Sequence, residues 1–591
     1  MSLWRWFRAR RGWVQVLLAI VLVPLAAALV YVAGRSLQYA GSEKDAGPYV
    51  PVTANVVVRA RALERQVARI QDTIAWRAFD RKILRDGVLR REINGLLQAN
   101  GAPTLDDFED ERKPFAKNKD RVLDAIGADV VGSLQVKGAL PTAKFCAIVR
   151  LRWLHFLATP FARLALPTEK VGGETCLVVR NGAKEIRVAF VGALAIVSDD
   201  KALLEQALRR QGQGMEGDRP VEARVVFEGS PGLLQVRKAL KDGGLFPYVN
   251  WESVRGLSVS GDVLDAAMVV DATFDRAQPL HASAPPATVR SWAPASTSGV
   301  MITNTGGQDL IAWLRSLMTA GSRDMVAQNV QDALRTLDEA GLSSKVLPLL
   351  QDGLAVMTGV EDRGGQSVPT LTLVLPSNDP PAAVDALNGL VKKIAGTWGD
   401  SKYFTTEPLG ESTVYSWSWP PMLQIAALAA PTYAALKGMV VIGTNKEFTL
   451  QVIRSADQGD GFDQTSQYRK LRARLKELGF AAEPTLASGF LFPPQLREAL
   501  GGSLIHIAKL TTTINGPALR AEVEAELRRQ GRPLTDAEIV PAFNDALNRK
   551  VEEREAELRR GLSPLDAFKW AAYEASSAPN GITFRAALEF R

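Results

Sequence analysis

Nucleophilic or metal-assisted chemistry needs cysteines, histidines or paired carboxylates at workable spacing, and this chain is poor in the first two. His155, His281 and His506 are its only histidines, and Cys146 and Cys176 its only cysteines, in 591 residues. So few exclude a disulfide-dense scaffold and any multi-cysteine zinc or iron–sulfur centre, and leave little room for a histidine-rich metal site. His155, in RWLHFL (152–157), reads as a packed or interfacial histidine rather than a base. His281 falls in a Pro/Ala/Ser-rich stretch and His506 in an alternating strand. Carboxylates are abundant, but no spacing singles out an acid/base pair. Asp199 and Asp200 read as a helix cap rather than a metal site. Gly212–Gly217 (GQGMEG) matches the dinucleotide fingerprint in form only. It follows a helical pattern and precedes Asp218-Arg219-Pro220, where the mechanism needs a strand before and a helix after. No Walker A, HExxH or GxSxG sequence occurs. The sequence therefore assigns no catalytic, cofactor-binding or metal residue.

The most unusual segment is YSWSWPP (415–421). Alternation puts Tyr415, Trp417 and Trp419 on one strand face, and Pro420 and Pro421 end the strand. Such a stripe is either core packing or an aromatic partner surface, since Trp and Tyr dominate binding hot spots.

The elements that would position these residues begin with an anchor. Residues 13–33 (WVQVLLAIVLVPLAAALVYVA) carry no charge, and as a helix would span about 31 Å, the thickness of a bilayer core. Four arginines precede this run, and only Arg35 and Lys44 follow within a dozen residues. The positive-inside rule then places residues 1–12 in the cytoplasm and the bulk of the chain outside it, in a bacterium the periplasm. The run is long for the apolar core of a cleaved signal peptide, although Ala26-Ala27-Ala28 offers a cleavage site. The formal net charge is +7, yet without residues 1–35 it is +2, so no basic footprint for nucleic acid is apparent on the remainder.

Residues 34–54 read as an extended tether, and 277–298 as a Pro/Ala/Ser-rich linker. The flanking segments, 55–276 and 299–591, read as diverged copies of one module. LAIVSDDKALLEQALR (194–209) aligns without gaps to MVVIGTNKEFTLQVIR (439–454), with Lys201/Lys446, Gln206/Gln451 and Arg209/Arg454 coinciding. Other short matches keep their order. The expected class is α+β: one N-terminal transmembrane helix, then two related modules, each a mostly antiparallel sheet with packed helices. Alternation of Phe145, Ala147, Val149 and Leu151 marks a strand with one buried face. Residues 517–579 of the second module read as a helical insertion, with a capping box at Thr535–Glu538 and a Glu555–Arg559 pair.

A basic N-terminus, one anchor and a repeated element of the form LAIVSDDKALLEQAL or MVVIGTNKEFTLQVI resemble bacterial envelope proteins of unknown function with a duplicated α+β module. The resemblance implies no catalytic residues. In an oxidising compartment Cys146 and Cys176, on strands of one sheet, could form a disulfide. The other outcome is two buried thiols, because the second module has no cysteine at the matching places. The expected function is a membrane-anchored periplasmic binding or scaffolding protein of the inner membrane, without catalysis or cofactor. It would bind the lipid bilayer through residues 13–33 and an envelope protein partner, and no nucleic acid. The alternative is an envelope-acting hydrolase with unidentified carboxylates, and a third reading is a structural subunit of a larger assembly.

Overall fold

The computed structural model describes residues 46–61, 69–70, 72–79, 126–136, 143–151, 166–181, 184–191, 194–210, 219–242, 246, 248–281, 286–309, 335–362, 367–395, 404–417, 431–481, 484–498 and 516–591, and the single residues 90, 94, 106 and 311. They fall into two units. The first comprises the described residues up to Leu280 together with Ala575–Ala587. The second comprises the described residues of His281–Ala312 and Asn329–Glu574, with Leu588–Arg591.

The first unit holds β1 (Val56–Ala60), β2 (Ile126–Gln135), β3 (Lys144–Leu151), β4 (Thr168–Val171), β5 (Glu174–Asn181), β6 (Lys184–Val191), β7 (Leu194–Ser198) and β8 (Val221–Val226). Helices α1 (Ile74–Phe79), α2 (Lys201–Leu208) and α3 (Pro231–Asp242) accompany them, followed by β9 (Val249–Asn250), β10 (Gly256–Val263), β11 (Ala267–Asp275) and β12 (Gln278–Pro279). The following ladders among the described residues are antiparallel. β1 lies between β2 and β8, β3 between β2 and β7, and β6 between β7 and β5, while β4 pairs β5 and β10 joins β8 to β11.

Strand β3 is buried mainly on the parity opposite to the one the alternation predicts: Cys146 and Ile148 are fully buried, and of the predicted face Leu151 is buried while Phe145, Ala147 and Val149 are half-buried. The reason is α2, whose Leu203, Leu204 and Ala207 join Cys146 and Ile148 in one core cluster. Ala46, Tyr49 and Val50 belong to the same cluster, so this end of the expected tether is packed. Arg210 lies over the Tyr49 ring, and Thr53 Oγ1 donates to Gln206 Oε1 at 2.8 Å.

In the second unit β13 (Thr297–Thr303) pairs β14 (Leu354–Asp362) and β20 (Ala487–Leu491). β14 pairs β15 (Ser367–Pro376), and β15 pairs β19 (Met439–Gly443). β19 pairs β18 (Thr432–Leu436), β18 pairs β17 (Ser412–Trp417), and β17 pairs β16 (Phe404–Leu409). Helices α4 (Pro380–Ala395), α5 (Lys446–Gln458) and α6 (Ser466–Glu477) complete this part. Ser296 Oγ donates to Gln451 Oε1 at 2.9 Å.

The expected fold class is corrected. Twenty strands form one large, mostly antiparallel sheet instead of one sheet per module, and β9 and β12 make a separate two-stranded sheet. Alternation identifies a strand's buried face but not the neighbour that pairs with its edges, so the sequence could not tell one sheet from two. Among the described residues no helix is long and apolar enough to cross a membrane. Residues 13–33 lie outside them.

The helical reading of 517–579 is also shortened. α7 (Gly516–Arg529) and α8 (Asp536–Leu562) pack Val523 and Leu527 against Ile539, and Arg559 pairs with Glu555 at 2.6 Å. Phe568–Ala578 is instead strand β21, with Trp570, Ala572 and Ala575 buried, and β22 (Gly581–Phe590) follows.

Two expected outcomes follow from the strand-to-helix junctions. Gly359 in β14 lies under the Phe448 ring of α5, where an added Cβ would meet Cε2 at 2.2 Å. Gly359→Ala should cost about 1–3 kcal/mol in urea unfolding, as overpacking does. A smaller loss in the Phe448→Leu background would locate the clash, and equal losses in both backgrounds would contradict it. Asp200 caps α2, accepting from Leu203 N at 3.0 Å, and pairs with Lys144. Burial works to raise its carboxyl, but the Lys144 bond and charge and the Leu203 and Ala202 N–H groups together hold it below its ordinary 3.8. Its contribution is therefore complete above that value and is lost as pH falls through the lowered one. Asp200→Ala should cost about 1 kcal/mol at pH 7, and the gap from wild type should close toward pH 2. A gap independent of pH would show that the charge is irrelevant.

Candidate functional site

A cavity of about 330 Å³ opens in the second unit. Three elements build it. Helix α6 starts at Thr465, whose hydroxyl accepts from Tyr468 N at 3.2 Å, a cap that fixes the helix phase. That phase buries Leu475 and places Gln467, Lys470, Leu471 and Arg474, three or four residues apart, along the cavity wall. β21 contributes Lys569 and the buried Trp570. The end of the chain contributes Glu589 and Arg591, and Phe492, Pro494 and Gln495 after β20 close the wall.

Trp570, Phe492 and Leu471 make an apolar floor, each less than a tenth exposed. Four cationic side chains stand around it with a single carboxylate side chain, that of Glu589. Lys569 Nζ donates to Glu589 Oε1 at 3.2 Å, and Arg474 Nη1 to Glu477 at 2.8 Å. Lys470 and Arg591 are exposed and have no ion-pair partner among the described residues. An apolar floor that excludes water, beneath cations without an ion-pair partner, is the arrangement that would suit an anion whose body is apolar.

Sequence reasoning missed this site. Its one local signal is α6 itself, with five cations and one acid in twelve residues (SQYRKLRARLKE). Periodicity alone would assign that charge to solvent.

A second cluster surrounds His281. Its Nε2 lies 2.5 Å from Asp309 Oδ2 and its Nδ1 3.1 Å from Asp352 Oδ2. Gly306 N donates to Asp309 Oδ2 at 3.0 Å, and Asn304 Nδ2 to the His281 carbonyl at 2.8 Å. With a carboxylate at each ring nitrogen, the imidazole has none left to exchange a proton with a substrate. The cluster is a tie between three chain segments.

The aromatic stripe lies elsewhere. Tyr415 stacks on Tyr433 at 5.7 Å and meets Phe404 at 6.0 Å, and Tyr433 Oη donates to Asn388 Oδ1 of α4 at 2.8 Å. Trp417 is only 7% exposed. Trp419 lies outside the described residues, as do His155, His506 and the whole GQGMEG stretch.

Cys146 and Cys176 are buried thiols that form no disulfide. Cys146 faces Ser198 of β7, and Cys176 faces Ala189 of β6, with β7 and β6 paired between them. Three strand spacings put their backbones about 14 Å apart, beyond the roughly 4.4–6.8 Å that a disulfide spans. Burial pushes the Cys146 thiol up to about 12.

The chain matches no protein-family model, no curated protein and no solved structure.

Thiol labelling checks the cysteine geometry. Denatured, unreduced protein should label at both cysteines, and native protein at neutral pH should label slowly at Cys146. A denatured sample that labels only after reduction would overturn the assignment.

Proposed function

We propose that this protein is a binding protein of the bacterial envelope, held at the inner membrane by the apolar run 13–33, and that its second unit captures a small amphipathic anion. The observation that carries the reading is the cavity itself, an apolar floor of Trp570, Phe492 and Leu471 under the unpaired cations Lys470 and Arg591. Its volume of about 330 Å³ is at the lower end of the range for small-molecule sites. The arginine asymmetry around residues 13–33 supports the location, because the positive-inside rule places the bulk of the chain outside the cytoplasm.

Titration calorimetry with 3-phenylpropionate, a ring bearing one carboxylate, tests the reading on the purified full chain. Saturable binding is expected, weakened at least about tenfold by Lys470→Glu, since reversing one rim charge converts an attraction into a repulsion. The affinity should also fall as salt is raised, because the rim is exposed. No binding, or binding indifferent to Lys470→Glu, would remove the cavity from the function.

A further inference from the structure

Three exposed cations line the cavity, and each comes from a different element. Lys470 stands on α6, Lys569 on β21 and Arg591 after β22. Backbone contacts fix their places. Arg591 N donates to the Ala567 carbonyl at 3.0 Å, just before β21, and the Thr465 cap sets the helix phase that presents Lys470. Of the three, only Lys569 pairs with the buried Glu589, at 3.2 Å, and its side chain is still 60% exposed. Arg474, the fourth cation of the wall, is engaged with Glu477 and Glu589. A group entering from solvent therefore meets donors from three separate elements.

Geometry and charge then separate the anions. A carboxylate carries its two oxygens in one plane, and a single guanidinium can occupy both. A phosphate monoester sets three acceptor oxygens on a tetrahedral centre and carries close to two negative charges at neutral pH. Three donors on three elements suit the tetrahedral group better than the planar one. Coulomb energy also scales with the ligand's charge, so each cation attracts a dianion about twice as strongly as a monoanion. The cost of taking the second charge out of water stays small, because the exposed rim leaves the outer side of the head group hydrated. Arginine is also a favoured partner of phosphate.

Building on the binding reading above, we infer that the ligand is a phosphate monoester of a small apolar body. Its phosphate meets Lys470, Lys569 and Arg591, and its body lies over Trp570, Phe492 and Leu471. Lys470 and Arg591, without an ion-pair partner among the described residues, are then the residues that select the doubly charged head group. Soluble esters and phosphatidate lipids both carry that head group, and their shared chemistry is what the site recognises.

Three probes on one phenylethyl body test this on the full chain by calorimetry. 3-Phenylpropionate is planar and singly charged, 2-phenylethanesulfonate has three oxygens and one charge, and 2-phenylethyl phosphate has three oxygens and two charges. At about pH 7.5 the phosphate is expected to bind about tenfold or more tighter than either monoanion. Its affinity should fall about fivefold by pH 5, as its second ionisation near pH 6 is reversed, while sulfonate binding stays level. In the double variant Lys470→Gln/Arg591→Gln, which leaves the floor and the ion pairs of the wall in place, the phosphate's advantage over the sulfonate should shrink to within about twofold. Competition with dihexanoyl phosphatidate identifies the source: displacement of phenylethyl phosphate assigns a lipid head group, and no displacement a soluble ester. Equal affinities for the phosphate and phenylpropionate would overturn the phosphate inference and leave the anion-binding reading standing. A sulfonate as tight as the phosphate would overturn the choice of a doubly charged group, and an advantage that survives in the double variant would overturn the role of Lys470 and Arg591. Failure of all three probes would overturn both readings.

Discussion

The junction where a strand hands over to a capped helix is the constraint on which much of each unit depends. A helix leaves its first N–H groups unpaired, and a buried helix start must satisfy them. In the first unit Ser198, Asp199 and Asp200 do this and more. Asp200 accepts from Leu203 N, Asp199 accepts from Phe145 N at 2.8 Å, and Ser198 Oγ donates to the Phe145 carbonyl at 2.7 Å. Three consecutive side chains therefore fix the end of β7, the start of α2 and the edge of β3 together. In the second unit Thr444 Oγ1 accepts from Leu371 N of β15 at 3.0 Å, and Asn445 Oδ1 accepts from Phe448 N at 3.0 Å. Asn445 Nδ2 reaches Glu361 of β14.

The rest of the packing follows from where those junctions aim the helices. α2 laid across β3 decides that Cys146 and Ile148, and not Phe145 and Ala147, form the core face. It also gives Tyr49 and Val50 a surface to bury against. α5 comes so close to its sheet that only glycine fits at Gly359 and Gly443; a Cβ at Gly443 would meet Thr449 Oγ1 at 1.7 Å. Helix position and strand composition are thus one choice, because an interior at crystal-like density leaves no room to adjust one without the other.

What was legible in the sequence is what a short window determines. Apolar runs ending in Ser-Asp-Asp or Thr-Asn, then a helical pattern, suffice to place β7 with α2 and β19 with α5, because capping and alternation act over a few residues. What was not legible depends on partners far along the chain. The buried parity of β3 is set by a helix more than fifty residues later. β21 hides its strand character in FKWAAYEASSA, where small alanines blur the alternation that Trp570 begins. His281, read as a linker residue, finds Asp309 and Asp352 at separations no motif encodes. The cavity is the extreme case, since its cations and its carboxylate come from α6, β21 and the end of the chain, and no one segment announces it.

The charge arithmetic of the cavity also bears on how a nearly balanced chain would select the proposed anion. Over residues 36–591 the net charge is only +2, so long-range steering is weak. Selection must be local. Exposed lysines usually contribute little, because water screens them as well as a ligand does. At this site an apolar floor removes water from one side of the bound molecule, and the interactions on that side strengthen as the local dielectric falls.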